Sequence, residues 1–140
     1  MSANPIEGQP VTLDDAWFDY NNHLTDWAYG RVLSDVNETV LDRLDLGAAY
    51  LARTAHSLFT VDTRIRYLAE VRHGDHLRGR TSLSDVSGKT LRLVTDLVRD
   101  DGTVAASAES TYLHVDHATG RTSPFDATTT TRLAAGVADI

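Results

Sequence analysis

The sequence predicts an α+β fold in which an antiparallel sheet wraps around one long central helix, and three patterns predict it. Apolar residues recur every four positions from Thr25 to Leu46. Beyond Tyr50 the period changes to two. Short glycine-bearing turns at Ser87-Gly88 and Asp100-Asp101-Gly102 then separate the later period-two runs. A period near that of the α-helix marks a helix with one apolar face, and strict alternation marks strands with one buried face.

Taken in order, the first candidate element is Val11-Thr12-Leu13, followed by Asp14-Asp15 and Ala16-Trp17-Phe18. This reads as one bent strand or as a strand and a loop. The helix carries Ala28, Val32, Val36, Val40 and Leu44 on one line, with Tyr29, Leu33 and Leu41 widening the stripe. Thr25 is placed as its N-cap, Asp26 complements the positive end of the helix dipole, and Gly47 is expected to stop the helix in a left-handed conformation. Phe59, Val61, Thr63, Ile65 and Tyr67 alternate with Thr60, Asp62, Arg64 and Arg66, which predicts a first long strand with one buried face. Gly74-Asp75 punctuates the chain before a second strand from about His76 to Val86. In the third strand Leu91, Leu93 and Leu97 face one way and Arg92, Val94, Asp96 and Val98 the other; the fourth runs from Val104 to Val115. Three hairpin-linked strands form a meander. After Gly120 come Thr128 to Thr131 and Leu133-Ala134-Ala135, expected as a weak tail helix or disorder. One helix followed by such a meander is the hotdog arrangement, in which the sheet covers the helix stripe. It is expected as one domain over 1–140, with its core at about 10–125 and a tail over 126–140. A sheet of this size leaves an edge strand unpaired, so two copies are expected to join edge to edge as a homodimer, with pairing into a homotetramer left open.

Composition narrows the function. A chain of 140 residues buries one core, and 41% hydrophobic with 24% charged residues is an ordinary globular balance. No apolar run approaches the ~18 residues of a membrane span, and the start of the chain has neither a basic nor an apolar stretch, so a cytoplasmic protein without membrane partners is expected. The absence of cysteine excludes disulfides, thiolate metal sites and a cysteine nucleophile. With 13 basic against 20 acidic side chains, nucleic acid is not an expected partner. Charge is nevertheless unevenly spread. Met1 to Asp62 holds 3 basic and 10 acidic residues, whereas Arg64 to Arg92 holds 7 basic and 3 acidic. Such a stripe suits phosphate oxygens, and equally suits the solvated face of a sheet.

The segment Trp17-Phe18-Asp19-Tyr20-Asn21-Asn22-His23-Leu24-Thr25 precedes the helix. It resembles the Asp-Tyr-Asn-Gly-His-Met signature of the 4-hydroxybenzoyl-CoA thioesterase-like branch of the hotdog acyl-CoA thioesterases. Within that branch it is most similar to betainyl-CoA thioesterases and to the thioesterase-like domain attached to some carnitine dehydrogenases. Tyr29, Phe59 to Ile65, Gly74-Asp75, Tyr112 to Asp116, Gly120-Arg121 and Pro124 follow in the family's order, so the resemblance covers roughly residues 10–125. Asn22 stands where the family has glycine and Leu24 where it has methionine.

The resemblance implies hydrolysis of a small acyl-CoA thioester, betainyl-CoA among the candidates, to free acid and CoA. It assigns Asp19 as nucleophile or general base, with Asn21 and His23 beside it as further catalytic candidates. The backbone N–H of Asp26 becomes the oxyanion donor. Physics supports the placement: a carboxylate entering a helix lies near unpaired N–H groups that suit an oxyanion, and a thiol of pKa near ~8.5 leaves without a strong acid. Read without the resemblance, Asp19, Asn21 and Asn22 also fit a turn before a helix, and His23 a structural hydrogen bond. Trp17, Phe18, Tyr20, Trp27 and Tyr29 supply five of the ten aromatics, and Trp17, Tyr20, Trp27 and Tyr29 are candidates for a cage around a quaternary ammonium. They serve equally as core residues. Arg64 and Arg66 are candidates for the CoA phosphates, with Arg78, Arg80 and Arg92 behind them.

No cofactor is expected, coenzyme A being part of the substrate, and no metal site. The pairs His73/His76 and His114/His117 have a spacing that points rings to opposite faces of a strand. Two other functions remain. A hotdog enoyl-CoA hydratase also uses Asp and His, but with the histidine five residues after the aspartate and a proline between, whereas here His23 is four after Asp19 and no proline intervenes. A non-catalytic acyl-CoA binding module fits the fold without the chemistry.

Overall fold

The computed structural model describes residues 5–136; the first four residues of the leader and the last four of the tail lie outside that range. Its elements are β1 (Ile6–Glu7), a 3-10 turn (Asp15–Trp17), α1 (Asp26–Arg43), α2 (Ala48–Thr54), β2 (His56–Tyr67), β3 (Leu77–Ser87), β4 (Thr90–Arg99), β5 (Val104–Asp116), β6 (Arg121–Thr122) and α3 (Ala127–Ala134). The sheet is antiparallel in the order β1-β3-β4-β5-β2, with β6 on β5. The predicted meander is β3-β4-β5, and β2 returns beside β5 to form an edge.

The expected α+β hotdog arrangement is the observed one. Helix α1 buries Ala28, Tyr29, Val32, Leu33, Val36, Val40 and Leu41 of the stripe read from the sequence, together with Asn37, while Leu44, expected in the stripe, caps the helix half-buried. One end of the stripe packs with Leu13, Val71, Leu77, Leu97 and Ala106; the other packs with Leu46, Leu83, Leu91, Leu93 and Tyr112. Under its middle, Asn37 Nδ2 donates to Ser110 Oγ (3.3 Å) and Tyr112 Oη (3.0 Å), while Thr95 Oγ1 donates to Asn37 Oδ1 (2.9 Å). This buried network ties the helix to β4 and β5 in one register, since each member left unpaired would keep its desolvation cost.

Strand β3 passes so close beneath α1 that a Cβ at Gly79 would collide with Val36 Cγ1. Gly79→Ala is therefore expected to destabilise the fold by about 1–3 kcal/mol through overpacking, read as a lowered Tm or denaturant midpoint. Gly88→Ala, where nothing lies within reach of the new methyl but φ is +57°, is the comparison for backbone strain alone.

Five expectations are corrected. No strand forms over Val11 to Phe18: Val11 makes a single bridge to Leu77, and Asp14 Oδ1 accepts from Ala16 N (2.8 Å), winding the next residues into the 3-10 turn. The paired strand at this edge is the earlier β1. Gly47 does not stop α1. The helix ends at Arg43, Asp45 takes the left-handed turn (φ 55°), and Leu46 folds into the core with its N–H on Leu41 O (2.8 Å). Gly47 instead precedes α2, an element the periodicity did not announce.

The alternation of β2 is broken at Val61, where the register slips between Thr60 and Asp62. Leu58, Thr60 and Thr63 consequently share the side facing α1, and Phe59 and Val61 are exposed rather than buried; Tyr67 keeps the Thr63 side, against Tyr29, but is exposed at the strand's end. A similar slip between Leu97 and Val98 buries both residues, which had been expected on opposite faces. The tail forms the helix that was one of its two expected states, and what is corrected is its separation from the core: Asp126 Oδ1 caps α3 through Thr129 N (2.7 Å), and Leu133 is buried with Leu83 and Phe125. The core thus extends beyond residue 125.

Candidate active site

The signature segment folds as a tight loop because Asp19 organises it. Asp19 N donates to His23 O (2.9 Å), and Asp19 Oδ1 accepts from Asn21 N (2.8 Å) and His23 N (3.2 Å). Such a side-chain-capped turn needs a short carboxylate or amide at its first position. Asn22 takes φ 61°, the left-handed conformation that asparagine tolerates and glycine prefers. The loop is pinned at both ends. Thr25 N and Oγ1 both donate to Trp17 O (2.9 and 2.7 Å), and Leu24 N donates to Val71 O (2.8 Å). Chain reversal there delivers the N-terminus of α1, where the backbone N–H of Asp26 meets no acceptor among the described residues.

An open hollow of about 410 Å³ lies at this helix end, lined by His23, Asp26, Tyr29, Tyr67, Leu68 and Glu70 among others. His23 Nε2 and Glu70 Oε2 are 2.8 Å apart, and Arg72 Nε donates to the other oxygen of Glu70 (2.9 Å). The Arg72 guanidinium holds the Glu70 carboxyl below the usual carboxylate range. Tyr29, 5% exposed, has its phenol pushed above the ordinary value by burial and by neighbouring Tyr67.

The predicted residues are only partly gathered. His23, Asp26 and Tyr29 share the hollow, and Asp19 and Asn21 form the turn joined to it through the backbone of His23. Trp17 and Trp27 meet edge to face at 6.4 Å, and Arg31 already lies 5.9 Å over the Trp17 ring. Tyr20 projects into solvent at 96% exposure. The four aromatics therefore do not enclose one cage. Arg64 and Arg66 are exposed on β2, paired in register with Glu109 and Ser107, outside the hollow's lining. Two lining residues with polar groups, Tyr67 and Glu70, were not among the site residues read from the sequence. Tyr67 was visible as an aromatic at a strand end, but Glu70 carried no signal, because only the fold brings the β2–β3 connection against the signature loop.

The pattern of the thioesterase-like superfamily matches residues 13–133. The chain belongs to the thioesterase-like superfamily. Within it, the chain is 38% identical over 118 residues to the L-carnitine dehydrogenase/betainyl-CoA thioesterase of Agrobacterium fabrum, a match covering 84% of this chain and 24% of that protein. It is 32% identical over 111 residues to the betainyl-CoA thioesterase of Pseudomonas aeruginosa, covering 79% of this chain and 70% of that one. The chain thus spans about a quarter of the two-activity relative, and most of the shorter one. A Staphylococcus aureus protein solved in complex with CoA superposes with a TM-score of 0.87 at 26% identity, covering 100% of this chain and 90% of that one. Among the described residues no helix is long and apolar enough to cross a membrane.

Proposed function

We propose that this thioesterase-superfamily member hydrolyses a small acyl-CoA thioester, with betainyl-CoA as the leading substrate, in the cytoplasm and without a cofactor. The observation that carries the reading is the unoccupied Asp26 N–H at the start of α1, opening into a hollow beside the Asp19 turn. Asp19 uses one oxygen to hold the loop and keeps the other for chemistry. That oxygen either attacks the thioester carbonyl or takes a proton from an attacking water. In both routes the carbonyl oxygen gains charge where the helix N-terminus supplies a fixed donor, the C–S bond breaks, and CoA leaves as thiolate; after direct attack, water then hydrolyses the Asp19–acyl anhydride to the free acid and returns the carboxylate. His23, oriented by Glu70, and Asn21 position the turn. Arg64 and Arg66, on the strand that leaves the hollow at Tyr67, serve the CoA phosphates.

The test is thiol release over a panel of betainyl, short aliphatic and aromatic acyl-CoAs. Turnover fastest with betainyl-CoA supports the whole reading, turnover of another thioester keeps the enzyme and changes the acyl group, and binding without turnover favours a non-catalytic acyl-CoA module. Single turnover in ¹⁸O-water tests direct attack, since label in the Asp19 carboxylate requires a mixed anhydride opened by water at the aspartyl carbon.

The enzyme is read as a homodimer joined along β2, with the tetramer as a further step. The 12-residue edge strand is supported in that role by exposed Phe59 and Val61, at 51% and 53%. Val61→Lys is expected to shift the sedimentation mass from dimer to monomer; an unchanged mass would place the contact elsewhere.

A further inference from the structure

The walls of the hollow at the start of α1 differ from the cage read in the sequence. Tyr29 and Tyr67 stand at 84° with ring centroids 5.0 Å apart, forming an aromatic corner. Tyr29 is 5% exposed, lines the hollow, and its hydroxyl has no hydrogen-bond partner among the described residues. Asp26 and Glu70 contribute carboxylates to the lining, which contains neither lysine nor arginine. Among the described residues the Asp26 carboxylate accepts only from the adjacent Trp27 N (2.9 Å). Glu70 shares its charge with His23 and Arg72. Behind it Arg99 donates to Glu70 O (2.8 Å) and is clamped by Asp101 (2.7 Å). Its charge is compensated there.

We propose that Tyr29, Tyr67, Asp26 and Glu70 form the subsite for a quaternary ammonium carried by the acyl group, which rests on the acyl-CoA reading above and names the residues that would give it substrate preference. A quaternary ammonium has no N–H to donate, so it is recognised by aromatic faces and by carboxylates that need not touch it directly. The Tyr29 hydroxyl, open to the hollow, offers its lone pairs to the same methyl groups. Distance along the substrate fits as well. In a betainyl thioester the ammonium nitrogen is separated from the carbonyl carbon by one methylene, so the group must sit beside the oxyanion donor. Here one hollow is lined by the residue carrying that donor, Asp26, and by the aromatic corner. The Trp17–Trp27 pair, whose nearest cation is Arg31, is left to support the loop.

The discriminating pair is betainyl-CoA and tert-butylacetyl-CoA, which have nearly the same shape and differ by one positive charge. Non-hydrolysable forms, with a methylene in place of the thioester sulfur, are titrated calorimetrically into the wild type, Tyr67→Leu and Glu70→Gln. Both substituted positions are exposed, so folding is preserved. The wild type is expected to bind the cationic form at least about tenfold more tightly, about 1.4 kcal/mol. Each variant is expected to reduce that ratio severalfold, whatever it does to absolute affinity. Equal binding of the two forms by the wild type, or a ratio untouched by both variants, overturns the subsite. Failure of the enzymatic reading shows separately, as absent turnover of the true thioesters, while the binding ratio still decides the subsite.

Discussion

Asp19→Asn is expected to lower kcat for thioester hydrolysis by about 10²–10⁴-fold, the range associated with removing a positioned acid–base group. The substitution isolates chemistry from folding. An asparagine carbonyl can accept the same two backbone N–H bonds, from Asn21 and His23, that Asp19 Oδ1 accepts now. The loop, the left-handed Asn22 and the approach to α1 are thereby retained. What is lost is a carboxylate oxygen able to attack or to take a proton. Unchanged melting temperature with lost turnover assigns the loss to that oxygen. Retained turnover would remove Asp19 from the reaction and move attention to the His23–Glu70 pair, 2.8 Å apart on the hollow's rim.

The largest stability effect is expected at His114, near the C-terminal end of β5. Its ring is 2% exposed, stacked on Phe125 (4.3 Å) and His56 (4.9 Å). Nδ1 lies 2.9 Å from Ser123 O, and since a carbonyl only accepts, Nδ1 carries the proton. Nε2 therefore accepts from the hydroxyl of Tyr50, at 2.7 Å. Burial pushes the His114 imidazole below the usual histidine value and the Tyr50 phenol above its own. His114→Ala removes a packed ring and orphans a hydroxyl, at an expected loss of about 3–5 kcal/mol by analogy with other buried aromatics.

The same residue sets a pH dependence. The folded state prefers neutral His114, whereas the unfolded chain takes up a proton near the ordinary value of ~6.5. Below that pH the unfolded state binds more protons, so stability is full above it and falls as the solution is acidified through it. Urea midpoints measured between about pH 7.5 and 5.5 should decline in the wild type. His114→Phe, which cannot titrate, should flatten that decline; an equal slope in both proteins would assign it to other groups.

Patterns of short range were enough for α1, for the β3-β4-β5 meander and for the arrangement of sheet and helix, while the signature segment from Trp17 to Thr25 was legible through its resemblance to a family. Periodicity and turn residues act within a few positions, so they are legible without contacts. The corrections fall where a distant segment competes with a local preference. Leu46 entering the core ends α1 before Gly47, bulges at Val61 and Val98 re-aim side chains that strict alternation had assigned, and Leu133 seats a helix whose threonine-rich sequence is a weak helix former. Glu70 and Tyr67 meet His23 and Tyr29 for the same reason. Residues far apart in sequence become neighbours when the sheet closes over α1, and the hollow they line belongs to that closure rather than to any one segment.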